Sequence, residues 1–245
     1  MGTTTVAVNL AVAYSNRKQP LSVALLDMNT IFGEIPLFLE ISPKFHWGEI
    51  TKNIERLDNT FLMNVLTRHS SGVHVLPSPA YLNGHHQPTP SIMQRLLGLM
   101  RQLFDVVIID GGQSLNDAAL KGMQMSDAVL LVSTLSLPCL SNTNKLLRSF
   151  TDLGYIQKER IKVILNRYMK KNEIALEDAE AGIGQSVFFS IPNDYKTTMA
   201  AINSGKPLSE LAPQSPIAGS IIELAEKLIP TEPGETKKRW SLFKR

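Results

Sequence analysis

Along the chain, short runs of β-branched and other apolar residues alternate with longer stretches in which apolar residues recur three and four positions apart. The short runs at 22–26, 73–76, 106–109, 128–132, 161–165 and 187–191 are mostly continuous in apolar character rather than alternating. Strands covered on both faces, as in a parallel sheet, read this way. Helical spacing predicts helices over 4–15, 92–103, 117–124, 142–153, 176–181, 195–203 and 217–228. Strand and helix take turns, which predicts an α/β fold with a doubly wound, mostly parallel sheet and helices on both faces. Proline and glycine clusters at 77–90, 204–207 and 213–216 mark loops. The periodic pattern lapses near residue 229, so residues 1–229 read as one folded domain and 230–245 as a linker with a basic, aromatic tail.

Composition narrows this picture. With 245 residues, 43% hydrophobic and 19% charged, the chain can bury a large core, and disorder, collagen and coiled coil are excluded. A single cysteine, Cys139, rules out an intramolecular disulfide framework or a cysteine-based zinc site and suits a reducing cytoplasm. No apolar run approaches the roughly 20 residues of a membrane-spanning helix, and no basic segment precedes a signal-like core. The expectation is a cytoplasmic protein, neither exported nor integral.

The net charge of +3 is unevenly placed. Five cations, Lys237, Lys238, Arg239, Lys244 and Arg245, fall in the last nine residues; taking them from 25 leaves 20 against 22 acidic residues, a body of net −2. A negative body disfavours DNA as a partner. The tail interleaves Lys237, Lys238 and Arg239 with Trp240 and Phe243, a composition that suits the anionic face of a membrane, where each basic residue contributes about 1 kcal/mol. A solubilising tail or a docking peptide for a protein partner fits the same residues.

Candidate chemistry begins at the first residues. Gly2, Thr3, Thr4 and Thr5 run directly into the helical pattern of 6–13. Backbone N–H groups at a helix N-terminus can hold a phosphate, and a threonine hydroxyl can reach a bound magnesium ion. A threonine-capped helix is the plainer reading of these residues alone. However, the run 23–26 ends in Asp27-Met28-Asn29, and 106–109 ends in Asp110 followed by Gly111 and Gly112. Two strands thus each deliver an aspartate at the C-terminal end, the edge at which parallel sheets bind ligands. Carboxylates there can hold magnesium, and a following glycine lets backbone approach a phosphate.

Together these segments resemble the MinD/ParA family of deviant Walker-A ATPases, and within it the CpaE/TadZ group associated with pilus assembly. Gly2-Thr3-Thr4-Thr5 is similar to the second half of the family's phosphate loop. Asp27 to Ile35 is similar to the group's Asp-x-Asp segment, 104–110 to its Walker B strand, and 135–141 to its Leu-Pro-Ser-Leu segment. The resemblance implies ATP or ADP with magnesium as ligands and a homodimer as the assembly. It further implies pilus or secretion assembly proteins as partners. Thr4, Asp110 and Gly111 then join Gly2, Thr3 and Thr5 at the phosphates and magnesium, Asp27 takes a catalytic place, and Asn166, Arg167, Pro192 and Asp194 surround the base.

Three departures from the family pattern carry expectations. Thr3 stands where the signature lysine belongs, and Asn29 replaces a carboxylate credited with positioning the attacking water; an amide cannot accept a proton as a carboxylate does. Hydrolysis should therefore be slow. The family's first strand and its Lys-Gly-Gly are also missing, which points to an N-terminal truncation. In-frame upstream sequence should then encode an apolar strand. Without that strand, two neighbours in the sheet either keep unpaired backbone groups or close on each other. His46, His69, His74, His85 and His86 are scattered or adjacent and read as loop or surface residues rather than a metal cluster.

Overall fold

The computed structural model describes residues 2–29, 33–79, 88–112, 115–169 and 171–231. In chain order, its elements are α1 (Thr3–Ser15), β1 (Val23–Asp27), α2 (Ile35–Phe38), α3 (Trp47–Lys52), α4 (Asn59–Val65), β2 (Thr67–Arg68), β3 (His74–Leu76) and α5 (Pro90–Leu103). They continue as β4 (Val106–Asp110), α6 (Asp117–Met125), β5 (Val129–Ser133), α7 (Leu137–Asp152), β6 (Ile161–Tyr168), α8 (Leu176–Ile183), β7 (Val187–Pro192), α9 (Tyr195–Asn203), α10 (Leu208–Leu211) and α11 (Pro216–Leu228). All six strand runs and all seven helices expected from periodicity occur. Four short helices and the two-residue strand β2 were not expected, because one turn is too short to establish a period. Local capping marks α3 and α4: His46 accepts from the Gly48 N–H and Asp58 from the Phe61 N–H. Helix α7 starts at Leu137, five residues before the expected 142, because Pro138 fits a first helical turn whose N–H needs no partner.

The strands form two sheets, ordered β2-β3-β1-β4 and β5-β6-β7. Every pairing is parallel except β2 with β3. Strand residues alternate between two helical layers, as the two-residue period requires. Val23, Leu25, Val106 and Ile108, together with Leu130, Val132 and Ile164 of the other sheet, share one core with α1 and α11. The opposite faces are covered separately. Ala24, Leu26, Val107 and Ile109 pack with α3 to α6, whereas Val129, Leu131, Ile161, Val163 and Leu165 pack with α7 and α8. Helix α1 is buried almost all round because it lies between the strands and α11, so its sequence is apolar on every side.

Strands β4 and β5 are not hydrogen-bonded to each other. The linker residues 230 and 231 are described; the tail with Lys237, Lys238, Arg239, Trp240 and Phe243 lies outside the described residues, as do Thr30, Ile31, Phe32, His85 and His86.

Candidate nucleotide-binding site

Parallel pairing in the first sheet sets Asp27 directly opposite Asp110 at the C-terminal ends of β1 and β4. Both are buried, at 0% and 1% exposure. The Thr4 hydroxyl donates to Asp110 Oδ2 over 2.6 Å, tying the first turn of α1 to the same rim. The three places singled out in the sequence thus lie at one rim of the first sheet, Thr4 bonded to Asp110 and Asp27 opposite Asp110 in register.

Helix α1 opens on Gly2 in the left-handed region, with φ 89°, and no side chain caps it. Its first N–H groups consequently have no intrahelical partner and face the rim as donors. Gly2 is required for space as well as for its backbone angle: a Cβ there would lie 2.4 Å from Asn166 Nδ2. Asn166, at the end of β6 in the other sheet, is therefore in contact with the start of α1. Its Oδ1 accepts the Arg167 N–H over 2.9 Å. Arg167 itself is exposed and left-handed, φ 56°, where the β6–β7 register shifts between Leu165 and Tyr168. A bulge at a sheet rim re-aims the side chains it carries, and strained backbone collects at functional sites.

Asp27 is electrostatically unsettled. Its Oδ1 accepts the Asn29 N–H over 2.9 Å, but its Oδ2 is buried without a hydrogen-bond partner among the described residues. Burial pushes its carboxyl up to about 7, reinforced by the neighbouring Asp110 and Glu34 charges and opposed by the Asn29 and Ile35 N–H groups. The hydroxyl of Ser78, just after β3, is orphaned in the same way. Both atoms crowd Gly33, where a Cβ would sit 2.7 Å from Asp27 Oδ2 and 1.6 Å from Ser78 Oγ. Sequence reading missed Ser78 and Gly33. Ser78 stands just beyond the run 73–76, separated from it by Pro77 where Asp27 and Asp110 follow their runs directly, so a looser strand-end rule could have found it.

This donor set suits a hard divalent cation, which takes carboxylate and hydroxyl oxygens. An orphaned buried carboxylate oxygen beside an orphaned hydroxyl is the polar arrangement such an ion would satisfy, and the uncapped α1 terminus offers N–H groups to a phosphate. Asn29 and Gly112 meet across the site, a Cβ on Gly112 falling 3.1 Å from Asn29 Cβ. Gly111 follows Asp110 with its position half-buried. Pro192 ends β7, and Asp194 caps α9 by accepting the Thr197 N–H over 3.2 Å. The described histidines act locally: His46 caps α3, His69 is bound to Ser71, and the His74 ring lies tilted against Phe104.

No family model matches the chain. Among curated proteins it is 26% identical over 229 residues to an uncharacterized ATP-binding protein of Methanocaldococcus jannaschii, covering 93% of this chain and 83% of that one. To the septum site-determining protein MinD of Thermotoga maritima it is 23% identical over 240 residues, with the same two coverages. A solved ParA family ATPase from Chlorobium tepidum superposes with a TM-score of 0.85 at 25% identity, over 91% of this chain and 93% of that one. The fold is that of MinD/ParA-type P-loop ATPases. MinD of Pyrococcus horikoshii, solved with Mg-ADP, matches with a TM-score of 0.78 at 22% identity, covering 94% and 91% of the two chains. In sequence the chain is similar to these ATP-binding and MinD proteins, and in fold to the MinD/ParA-type ATPases.

Proposed function

We propose that the chain is a CpaE/TadZ-like positioning or scaffold protein for pilus or secretion machinery, which binds Mg-ATP or Mg-ADP at the rim and hydrolyses it slowly or not at all. The observation that carries this reading is the Thr4–Asp110 hydrogen bond with Asp27 opposite Asp110 beside an uncapped helix start, in a chain with Thr3 and Asn29 at two positions where the family pattern it resembles carries charge. Thr4 and Asp110 hold the magnesium ion, with Asp27 and Ser78 beside it. The N–H groups of Thr3, Thr4 and Thr5 receive phosphate oxygens. Asn166, Arg167, Pro192 and Asp194 border the base.

Bound Mg-ATP supplies the transferable phosphoryl group and the cation's charge. The protein's own contribution to turnover is weak. Asn29 can orient water by hydrogen bonding but cannot take its proton, and Thr3 places no positive charge on the phosphates. Losing one stabilising group of this kind costs about two to three decades in rate. Relatives to which the chain is similar include one solved as a MinC:MinD complex, and the proposed assembly is a homodimer that recruits a protein partner.

Titration calorimetry with ATP and ADP in magnesium, alongside phosphate release by the same preparation, tests the nucleotide reading. Binding with release at least about 100-fold slower than an active relative is expected; turnover at the relative's rate would overturn it. Co-purification with pilus-motor components tests the assembly role. A second reading, an active ParA/MinD-type ATPase in DNA partition or septum-site placement, is equally compatible with the similarity to T. maritima MinD and the C. tepidum ParA family ATPase. It predicts rapid turnover, with salt-sensitive DNA retention in the partition case.

A further inference from the structure

The short turn between β2 and β3 is built on a histidine ring. His69 closes the hairpin: its N–H donates to Val73 O over 2.9 Å, and its carbonyl accepts the Gly72 N–H over 2.9 Å. The residue is only 8% exposed, and its ring folds back over the turn. Nδ1 accepts the Ser71 N–H over 3.1 Å and lies 2.8 Å from Ser71 Oγ, while Nε2 lies 3.3 Å from Ser70 Oγ. A backbone N–H can only donate, so Nδ1 carries the lone pair and the proton of the neutral ring sits on Nε2. The ring thus acts as an Asx side chain does in a tight turn, accepting the N–H two residues on.

The same turn tethers α1. Ser15, the last residue of that helix, donates its hydroxyl to Ser71 O over 2.6 Å. Gly72 is left-handed, with φ 92°, and a Cβ there would stand 3.0 Å from Ser15 Oγ, so helix and turn are in close contact. The charged and titratable groups on the elements that meet here are few. Arg17 and Lys18 follow α1, and Arg17 is engaged by Glu226 over 3.4 Å. Arg68 is exposed on β2 and His74 half-buried on β3. Glu210 of α10 acts on the ring through space and is itself paired with Lys206 over 3.0 Å. Burial outweighs the pull of Glu210 and holds His69 below its ordinary value of 6.5.

We propose that His69 is an acid-sensitive latch between the β2–β3 hairpin and the C-terminal end of α1. A proton on Nδ1 meets the Ser71 N–H donor to donor. The Ser71 hydroxyl can turn and accept from the charged ring, but the backbone N–H cannot, so the turn gives up that bond or swings the ring out to water. Either movement draws Ser71 O away from Ser15 Oγ, and the last turn of α1 loses this tether. The opened turn, with its ring in water, binds the proton more tightly than the closed one. The latch is therefore shut above the ordinary histidine value and opens as pH falls through the lower value of the closed turn. That direction is opposite to the one set by the raised carboxyl of Asp27. The latch needs neither nucleotide nor metal and stands apart from the nucleotide reading.

Two measurements on the full chain without nucleotide test it: the nitrogen shifts of the His69 ring, and amide exchange at about pH 7.5 and about pH 5, expressed as protection over the intrinsic rate at each pH. The neutral ring should carry its proton on Nε2. On acidification, protection at Ser71, Gly72 and residues 13–16 should fall by about fivefold, the equilibrium weight of one backbone hydrogen bond, while the amides of β6 do not fall. His69→Asn offers a side-chain oxygen to the same N–H without titrating and should show no such fall. Ser15→Ala should lower protection of 13–16 at both pH values and leave the fall at 71 and 72 in place. A neutral ring protonated on Nδ1, protection of the turn that is equal at the two pH values, or the same fall in His69→Asn would each overturn the latch.

Discussion

At the scale of single residues, the buried pair Asp27 and Asp110 carries the main electrostatic consequence. A carboxyl raised to about 7 in the folded chain, against an ordinary value of 3.8, binds more protons folded than unfolded between those two values. Stability from this group is therefore full below about pH 4 and is lost as pH rises through 7. Asp27→Asn should remove that slope and raise Tm at pH 8, each kcal/mol being worth about 2–4 °C in a chain of this size. Thermal melts of both proteins from pH 5 to 8 check it. Magnesium should stabilise the native chain more at pH 8 than at pH 5, because the ion needs the ionised carboxylate. Gly33→Ala should cost about 1–3 kcal/mol, since its Cβ would overlap Ser78 Oγ and press on Asp27 Oδ2; urea denaturation measures this.

At the scale of elements, α1 is held at its start by one side-chain bond and along its length by apolar packing. Thr4→Val keeps the shape but leaves Asp110 Oδ2 without its 2.6 Å donor. A loss of about 1–3 kcal/mol is expected from the unsatisfied carboxylate, together with a weakened response of Tm to magnesium. Asn9 fastens the same helix elsewhere: its amide donates to Thr5 O and its Oδ1 accepts the Leu208 N–H, so a buried polar residue is satisfied on both sides. The described elements also account for what periodicity could and could not locate. Strands β1, β4 and β6 were legible because burial on both faces demands continuous apolar residues. Short α3 and α4 were not, since their signals are a cap and one turn.

At the scale of the whole molecule, charge separates body from tail. Vesicles containing anionic lipid should retain the full chain at low salt, and deletion of residues 237–245 should abolish that retention; sedimentation at two salt concentrations gives the answer, and unchanged retention on deletion counts against a membrane role. No helix among the described residues is long and apolar enough to cross a membrane. The order of the strands could not have been read from periodicity, because an apolar run says that a strand is covered and not which strand lies beside it.

The sequence by itself determined the alternation of strand and helix, the faces they bury and the residues at the strand ends, because these follow from side-chain chemistry repeated at local spacing. Resemblance added the family pattern that drew Gly2, Thr4, Asp27 and Asp110 into one site. Tertiary structure alone decided that the Thr4 hydroxyl reaches Asp110, that Asp27 Oδ2 lies buried near Ser78 without a hydrogen-bond partner among the described residues, and that β4 and β5 are not paired with each other. Each of those depends on how distant segments pack, and burial, register and proximity across a sheet are properties of the assembled core rather than of any stretch of chain.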